Sequence, residues 1–405
     1  MISLVKFATI ATFLSIGYVQ SRKSLEEERK ILNKIFDGYD STIRPAGENG
    51  TGPVIVEVNA YIRSLSNMDD VKMVYDAQLT FRQSWKDDRL KYDSLGMSYV
   101  SLTQPEKLWI PDLFFSNEDS GHFHNMILPN NLIRIYPDGR ILYSVRISLR
   151  LFCPMDLRNY PMDNQVCKIA CASYGYTTDD IIFLWKEKDP VQITKNIISN
   201  LPKFSMNSYM TGYCNSKTNT GEYSCVKIDM SFSRNFFYYL ERAYMPTAAL
   251  VLLSWVVFWL HPRCTNIRLG IWIGILISIT IVTTSINANS PEVSYTKALD
   301  VWMGVCVFFI FAVLLELCLV NNAMTSEENA FALKNQLAAQ EMNSTPSDED
   351  GKRNPLRSYT STPLRWLNKY STRAQRIDVV SRVLFPAAFG FFNFIYWVTY
   401  AAKRV

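Results

Sequence analysis

The sequence predicts an extracellular all-β sandwich with an N-terminal helix, followed by an α-helical transmembrane four-helix domain. Three observations predict it. Residues 22–235 alternate apolar and polar side chains in short runs broken by turn residues, the period of half-buried strands. Four near-continuous apolar runs (243–260, 266–288, 299–320 and 383–401) have the length a helix needs to cross a bilayer. The chain opens with Lys6 ahead of a short apolar core that ends in small and polar residues, which has the form of a secretory signal. The expected division of the 405 residues is a signal peptide (1–21), the sandwich (22–240), three transmembrane helices (241–322), a cytoplasmic linker (323–376), and a fourth helix with a short extracellular C-terminus (377–405).

Taken in order, residues 24–36 read as a helix capped by Ser24 and followed by Gly38. In "YDAQLTFRQSW", Gln78, Thr80 and Arg82 occupy the polar face. "YPDGR" (136–140) is a hairpin turn with Asp138 and Gly139 at its tip. "RILYSVRISLRL" follows, with Ile141, Tyr143, Val145, Ile147, Leu149 and Leu151 facing one way. The link at 261–265, with Arg268 just inside the next run, and the long 323–382 segment hold most of the basic residues, as the positive-inside rule requires of cytosolic loops. Charge and Ser/Thr/Pro content predict that 323–375 is largely disordered.

Charge and cysteine usage agree with this topology. The net charge of +5 follows from the cytosolic loops, and no basic stripe interleaved with aromatics points to a nucleic acid. Cys153, Cys167, Cys171, Cys214 and Cys225 fall in the outside domain, where disulfides persist. Cys264, Cys306 and Cys318 lie in or beside the membrane and read as small hydrophobes. Asn49 heads a glycosylation acceptor on the outside, whereas Asn343 lies on the cytosolic side and is expected to stay bare. His122 and His124 would share a strand face but lack a third ligand, so no metal or other cofactor is expected. There is no phosphate-cradling loop and no nucleophile elbow, which argues against an enzyme.

"CPMDLRNYPMDNQVC" places thirteen residues between Cys153 and Cys167. An outside bridge between them would make a stiff lobe at a strand end, and most such bridges are staples. This spacing, followed by four spans, resembles the pentameric Cys-loop ligand-gated ion channels. A second pair, Cys214 and Cys225, is similar to that of the glycine- and glutamate-gated chloride channels. "LWIPDLFFSNE", "ASYGYTTDDIIFLW", "TGEYSC", "LLSWVVFWL" and "RIDVVSRVLFPAAFGFFNFIYW" resemble the invertebrate glutamate-gated members, and the likeness spans all but 323–375.

The resemblance implies a homo- or hetero-pentamer in a plasma membrane, multi-pass and postsynaptic, that binds L-glutamate between subunits and passes chloride. On one face Arg63 and Arg82 would hold carboxylates, with Ser144 adding a hydroxyl; on the other, Phe114, Ser173, Tyr174, Thr220 and Tyr223 would surround the ammonium. A guanidinium fork suits a carboxylate and aromatic faces suit a cation. Arginines on polar strand faces are more often plain surface charges, and strand tyrosines more often packing. Cys171 reads as a buried free thiol. "NYPMD" and 290–298 are the parts that would transmit binding to the membrane.

The resemblance makes 266–288 the pore wall, with Asn266, Arg268, Gly270, Gly274, Ile277, Ile281 and Thr284 or Ser285 along the ion path. Arg268 would supply a positive ring and Ile277 a hydrophobic constriction. The sequence departs from the family here. Asn266 and Ile267 replace Pro-Ala, and Gly270 and Gly274 replace threonines. The two glycines also fit close helix packing, which would suit an accessory subunit that needs a partner to conduct. Gly304 matches the small residue that admits macrocyclic lactones between subunits. Glycine, GABA or histamine in place of glutamate stays open.

Overall fold

The computed structural model describes residues 25–47, 50–94, 97–194, 201–288, 290–344 and 372–401. The expected signal peptide, the Ser24 cap, the Asn49 acceptor, most of the expected linker and the last four residues lie outside the described residues. The chain divides into two compact units: 1–155 with 164–233, and 156–163 with 234–405.

The first unit opens with a helix over 25–35 (α1), which buries Ile31 and Ile35. Its larger sheet is built on β1 (Val54–Asp69), β2 (Val74–Lys86) and β7 (Arg140–Phe152). Around them lie β3 (Val100–Leu102), β5 (Glu118–Phe123), β6 (Asn131–Ile135), β9 (Ile181–Trp185) and β10 (Val191–Ile193). The path runs β10-β1-β2-β7-β6-β3, with β9 also parallel to β1 and β5 also on β7. The second sheet runs β11-β14-β8-β4, from Phe204–Tyr213, Cys225–Arg234, Asn164–Ser173 and Leu113–Phe115. A two-stranded hairpin, β12 (Ser216–Thr218) with β13 (Gly221–Tyr223), stands off it.

Alternation sets which side chains meet. Val56, Val58, Ile62, Leu79, Ile141 and Leu151 of the first sheet are buried, as are Ile169, Val226, Ile228, Met230 and Phe232 of the second. Burying each such side chain contributes about 1.5–3 kcal/mol. Tyr143 is only half-buried, but its neighbours at Ile141, Val145, Ile147, Leu149 and Leu151 lie inward as their spacing requires. Ahead of β7 the turn needs its glycine: Gly139 has φ +81°, and a Cβ there would come within 2.6 Å of the Asp87 carbonyl. Cys153–Cys167 and Cys214–Cys225 are bridged. Cys171 is free, and complete burial pushes its thiol pKa up.

Among its described residues the second unit has four helices long and apolar enough to cross a membrane: α2 (Phe236–Trp259), α3 (Thr265–Ala288), α4 (Ala298–Ser344) and α5 (Arg373–Ala401). Within α2 a π-helical turn at Leu240–Tyr244 precedes Pro246, whose missing N–H requires the ladder to reset. Trp302, Tyr244, Phe389 and Tyr396 interlock at the heart of the bundle, where the Tyr244 and Tyr396 hydroxyls lie 2.8 Å apart. The lobe 156–163 belongs to this unit: the Arg158 and Tyr160 carbonyls accept from Ala298 and Leu299, the first residues of α4, at 2.9 and 3.1 Å. They fill orphan donors of a helix start.

Three boundaries differ from the expectation. α2 starts at Phe236 and α5 at Arg373, each a few residues early. More substantially, 323–344, expected to lack structure, continues α4. "SEENAFALKNQLAAQ" is charged, but its Glu, Ala, Lys, Gln and Leu are strong helix formers, and an existing helix extends without a new nucleus.

Candidate ligand site and ion path

β1, β2 and β7 place one half of the expected site on a single sheet face. Arg82 stands opposite Asn59 on one side and Ser144 on the other; Thr80 stands opposite Tyr61 and Arg146. A register irregularity between Ile62 and Ser64 falls at Arg63, whose Nε donates to Thr80 Oγ1 at 2.7 Å. Arg82 Nη1 donates to Asn59 Oδ1 at 2.8 Å, and Ser144 is buried beside it. Both guanidiniums are thus held by neutral partners, and neither has a carboxylate partner among the described residues. Arg150, on the same face, differs: Asp76 accepts from its Nε at 2.9 Å.

Arg82 also lines a cavity of ≈ 200 Å³ with Asn59, Gln192, Arg140, Lys186 and Glu57. Lys186 arrives there because β9 runs parallel to β1, with Trp185 opposite Val58 and the Lys186 N–H bonded to the Val58 carbonyl. Its position was hidden in the sequence by the surrounding "KEKD" run, which reads as a solvated surface turn. Its pairing with β1 is the missing signal.

The second sheet carries the other half. Phe114 on β4 lies opposite Ala172 on β8 and packs on Ala170, Ala172 and the Cys214–Cys225 bridge. Tyr174 follows β8 with 79% of its surface exposed, and its ring meets Phe114 edge-on at 5.6 Å. Ser173 faces inward, and its hydroxyl donates to Asp112 Oδ1 at 2.8 Å. Asp112 Oδ2 accepts the Tyr174 and Gly175 amides at 3.2 and 2.6 Å, so this carboxylate shapes the whole turn. Asp112 was not foreseen; only its place in "WIPDLFF" marks it. On the hairpin, the Thr220 and Tyr223 hydroxyls lie 2.8 Å apart, above the Cys214–Cys225 bridge at its base.

The aromatic set and the arginine set sit on different sheets, and no hydrogen bond, ion pair or ring contact joins them among the described residues. The two expected residue sets are therefore separate within one chain. His122 and His124 lie ring to ring at 5.4 Å, and His124 Nε2 is 2.8 Å from Ser148 Oγ. No third His, Cys, Asp or Glu joins them into a metal-binding group among the described residues.

In α3, Asn266, Gly270, Gly274, Ile277, Ile281, Thr284 and Ser285 are exposed along one stripe, and Trp272, Ile275 and Ile279 are buried on the opposite one. A Cβ at Gly270 or Gly274 would meet nothing within 4 Å, so close packing at these glycines has no neighbour among the described residues. Ser278 and Thr280 turn their hydroxyls onto the Gly274 and Leu276 carbonyls of their own helix. Arg268 departs from the expectation. Instead of facing the exposed stripe it is 1% exposed, with Nη2 2.7 Å from Asp378 Oδ1 of α5. A guanidinium at a bundle interior needs a counter-charge, and Asp378 provides it.

Residues 28–236 match the neurotransmitter-gated ion-channel ligand binding domain, and 243–357 the neurotransmitter-gated ion-channel transmembrane region. A glutamate-gated chloride channel of Drosophila melanogaster is 45% identical over 424 aligned residues, covering 94% of this chain and 92% of that protein. A glutamate-gated chloride channel subunit beta of Haemonchus contortus is 37% identical, covering 92% of this chain and 91% of that one. The family models cover the sandwich, both bridges and the membrane region through residue 357, and the chain therefore belongs to the neurotransmitter-gated ion-channel family.

Proposed function

We propose that this chain is a subunit of a glutamate-gated chloride channel in the plasma membrane, postsynaptic in excitable cells and built as a homo- or hetero-pentamer. The observation that carries this reading is the pair Arg63 and Arg82: two guanidiniums on one sheet face, oriented by neutral partners and without a carboxylate of their own among the described residues. A ligand with two carboxylates is the natural complement, because each fork gains a charge-assisted bond. Arg140 and Lys186 add positive charge to the cavity that Arg82 lines, against the one carboxylate of Glu57. The ammonium of L-glutamate would lie on the neighbouring subunit, against Phe114, Tyr174 and Tyr223, with Ser144, Ser173 and Thr220 supplying hydroxyls. Two half-sites on separate sheets need a second subunit to meet.

Binding would be transmitted through the lobe, whose Arg158 and Tyr160 carbonyls hold the start of α4. The exposed stripe of α3 would line the ion path, with Ile277 as the dewetting constriction. Anion passage is supported by the stripe's chemistry: α3 contains no Asp or Glu. Gly304 faces open space, which would let a macrocyclic lactone approach α4 there. The bare stripe at Gly270 and Gly274 favours a second reading, an accessory subunit that needs a partner to conduct.

The test is to express the chain alone and with a related subunit, and to apply glutamate, glycine, GABA and histamine in turn. Glutamate currents on expression alone support a complete channel. Currents only on co-expression support the accessory reading. A response to another of these agonists with none to glutamate overturns the ligand assignment.

A further inference from the structure

Arg268 is the one charged residue of α3, and all four helices contribute to its surroundings. Its Nη2 lies 2.7 Å from Asp378 Oδ1 of α5 in an ion pair without hydrogen-bond geometry, and donates to the Leu260 carbonyl, just past the end of α2, at 2.9 Å. One turn further along α5, Arg382 donates twice to the Phe258 carbonyl, at 3.0 and 2.9 Å, and lies over the Trp259 ring. Glu316 of α4, 4% exposed, lies beside Asp378 and faces Arg268. Arg268 Nε and Nη1 have no hydrogen-bond partner among the described residues.

This cluster fixes a rotation. Two residues along a helix correspond to about 200°, so a charge pinned inward at Arg268 turns Asn266 and Gly270 outward. Opening the pair would strand a buried charge, which makes the rotation stiff. We propose that Arg268 is a positioning residue: paired with Asp378, it holds the Thr265 end of α3 so that Asn266 and Gly270 face the ion path, and it adds no ring of charge to that path. The inference rests on the reading of α3 as the pore helix.

The test uses the full-length chain at the cell surface, alone or with the related subunit that restores current. Asp378→Asn is expected to lower maximal current per surface channel at least tenfold while leaving glutamate binding within about twofold. The exchange variant Arg268→Asp with Asp378→Arg is expected to recover current, with the reversal potential still at that of chloride. Wild-type currents from Asp378→Asn, or an exchange variant whose reversal potential leaves chloride for a cation, would overturn the proposal.

Should the exchange variant fail to reach the surface, thiol labelling from the cytosolic side decides. In a Cys264→Ala, Cys318→Ala background, Asn266→Cys is expected to react with a charged methanethiosulfonate and Arg268→Cys to stay unmodified. Equal labelling of the two would overturn the proposal. A wild-type chain without chloride current in any combination contradicts the channel reading instead, and the labelling pattern still reports the orientation of Arg268.

Discussion

Arg234 and Asp163 form an ion pair withdrawn from solvent, with Nε–Oδ1 at 2.8 Å and Nη2–Oδ2 at 3.1 Å. The guanidinium also lies over the Tyr160 ring at 4.5 Å. The pair joins the end of the lobe to the residues just ahead of α2, both within the second unit. Asp163→Ala leaves a buried guanidinium without its carboxylate, at a cost of about 3–5 kcal/mol. Surface biotinylation is expected to show few channels for Asp163→Ala and an intermediate number for Asp163→Asn. Wild-type surface levels for Asp163→Ala would show that the pair does not stabilise the fold.

The arginine forks predict a graded effect on agonist sensitivity. Arg82→Lys keeps the charge and loses the planar pair of donors. Half-maximal glutamate concentration is expected to rise about tenfold, equivalent to about 1.4 kcal/mol, and Arg63→Lys should act in the same direction. Arg150→Lys is the control, since Asp76 already holds that side chain; its concentration–response curve is expected to stay within about twofold of wild type.

Tyr174 tests the other half-site. Its exposed ring stands against Phe114, ready to cover a cation. Removing a cation–π partner costs about 0.5–2 kcal/mol, so Tyr174→Ala should raise the half-maximal concentration by about 2- to 30-fold. Tyr174→Phe keeps the ring and should change it little. Equal losses in the two variants would point to the hydroxyl instead.

His124 predicts a mild acid sensitivity. Partial burial and the nearby Arg146, His122 and Arg63 lower its pKa below the ordinary imidazole value. The unfolded chain therefore binds the proton more readily. Stability is fully present above the ordinary histidine pKa and falls as pH drops through the lower folded value. Thermal unfolding of the purified protein between pH 7.5 and 5 should show a smaller loss for His124→Gln than for wild type.

The sandwich was legible because one period serves both purposes: the alternation that buries Ile141 and Leu151 also puts Arg82 and Ser144 on the other face. The membrane helices were legible from length and apolarity alone. Arg268 was not. Its rotation depends on Asp378 and Glu316, which sit on helices far along the chain and carry no local mark of pairing. Asp112 and Lys186 escaped for a related reason. Their roles come from turn and strand neighbours, the amides of Tyr174 and Gly175 and the carbonyl of Val58, which residue type does not disclose. The α4 extension is masked in the sequence because its charge resembles that of a linker, while its helix propensity decides the structure.

The most direct measurement is the reversal potential of the glutamate-evoked current as external chloride is replaced by an impermeant anion, in cells expressing the chain alone or with a related subunit. The reversal potential is expected to follow the chloride equilibrium potential and to ignore sodium replacement. A reversal potential that follows sodium and is indifferent to chloride would contradict the account.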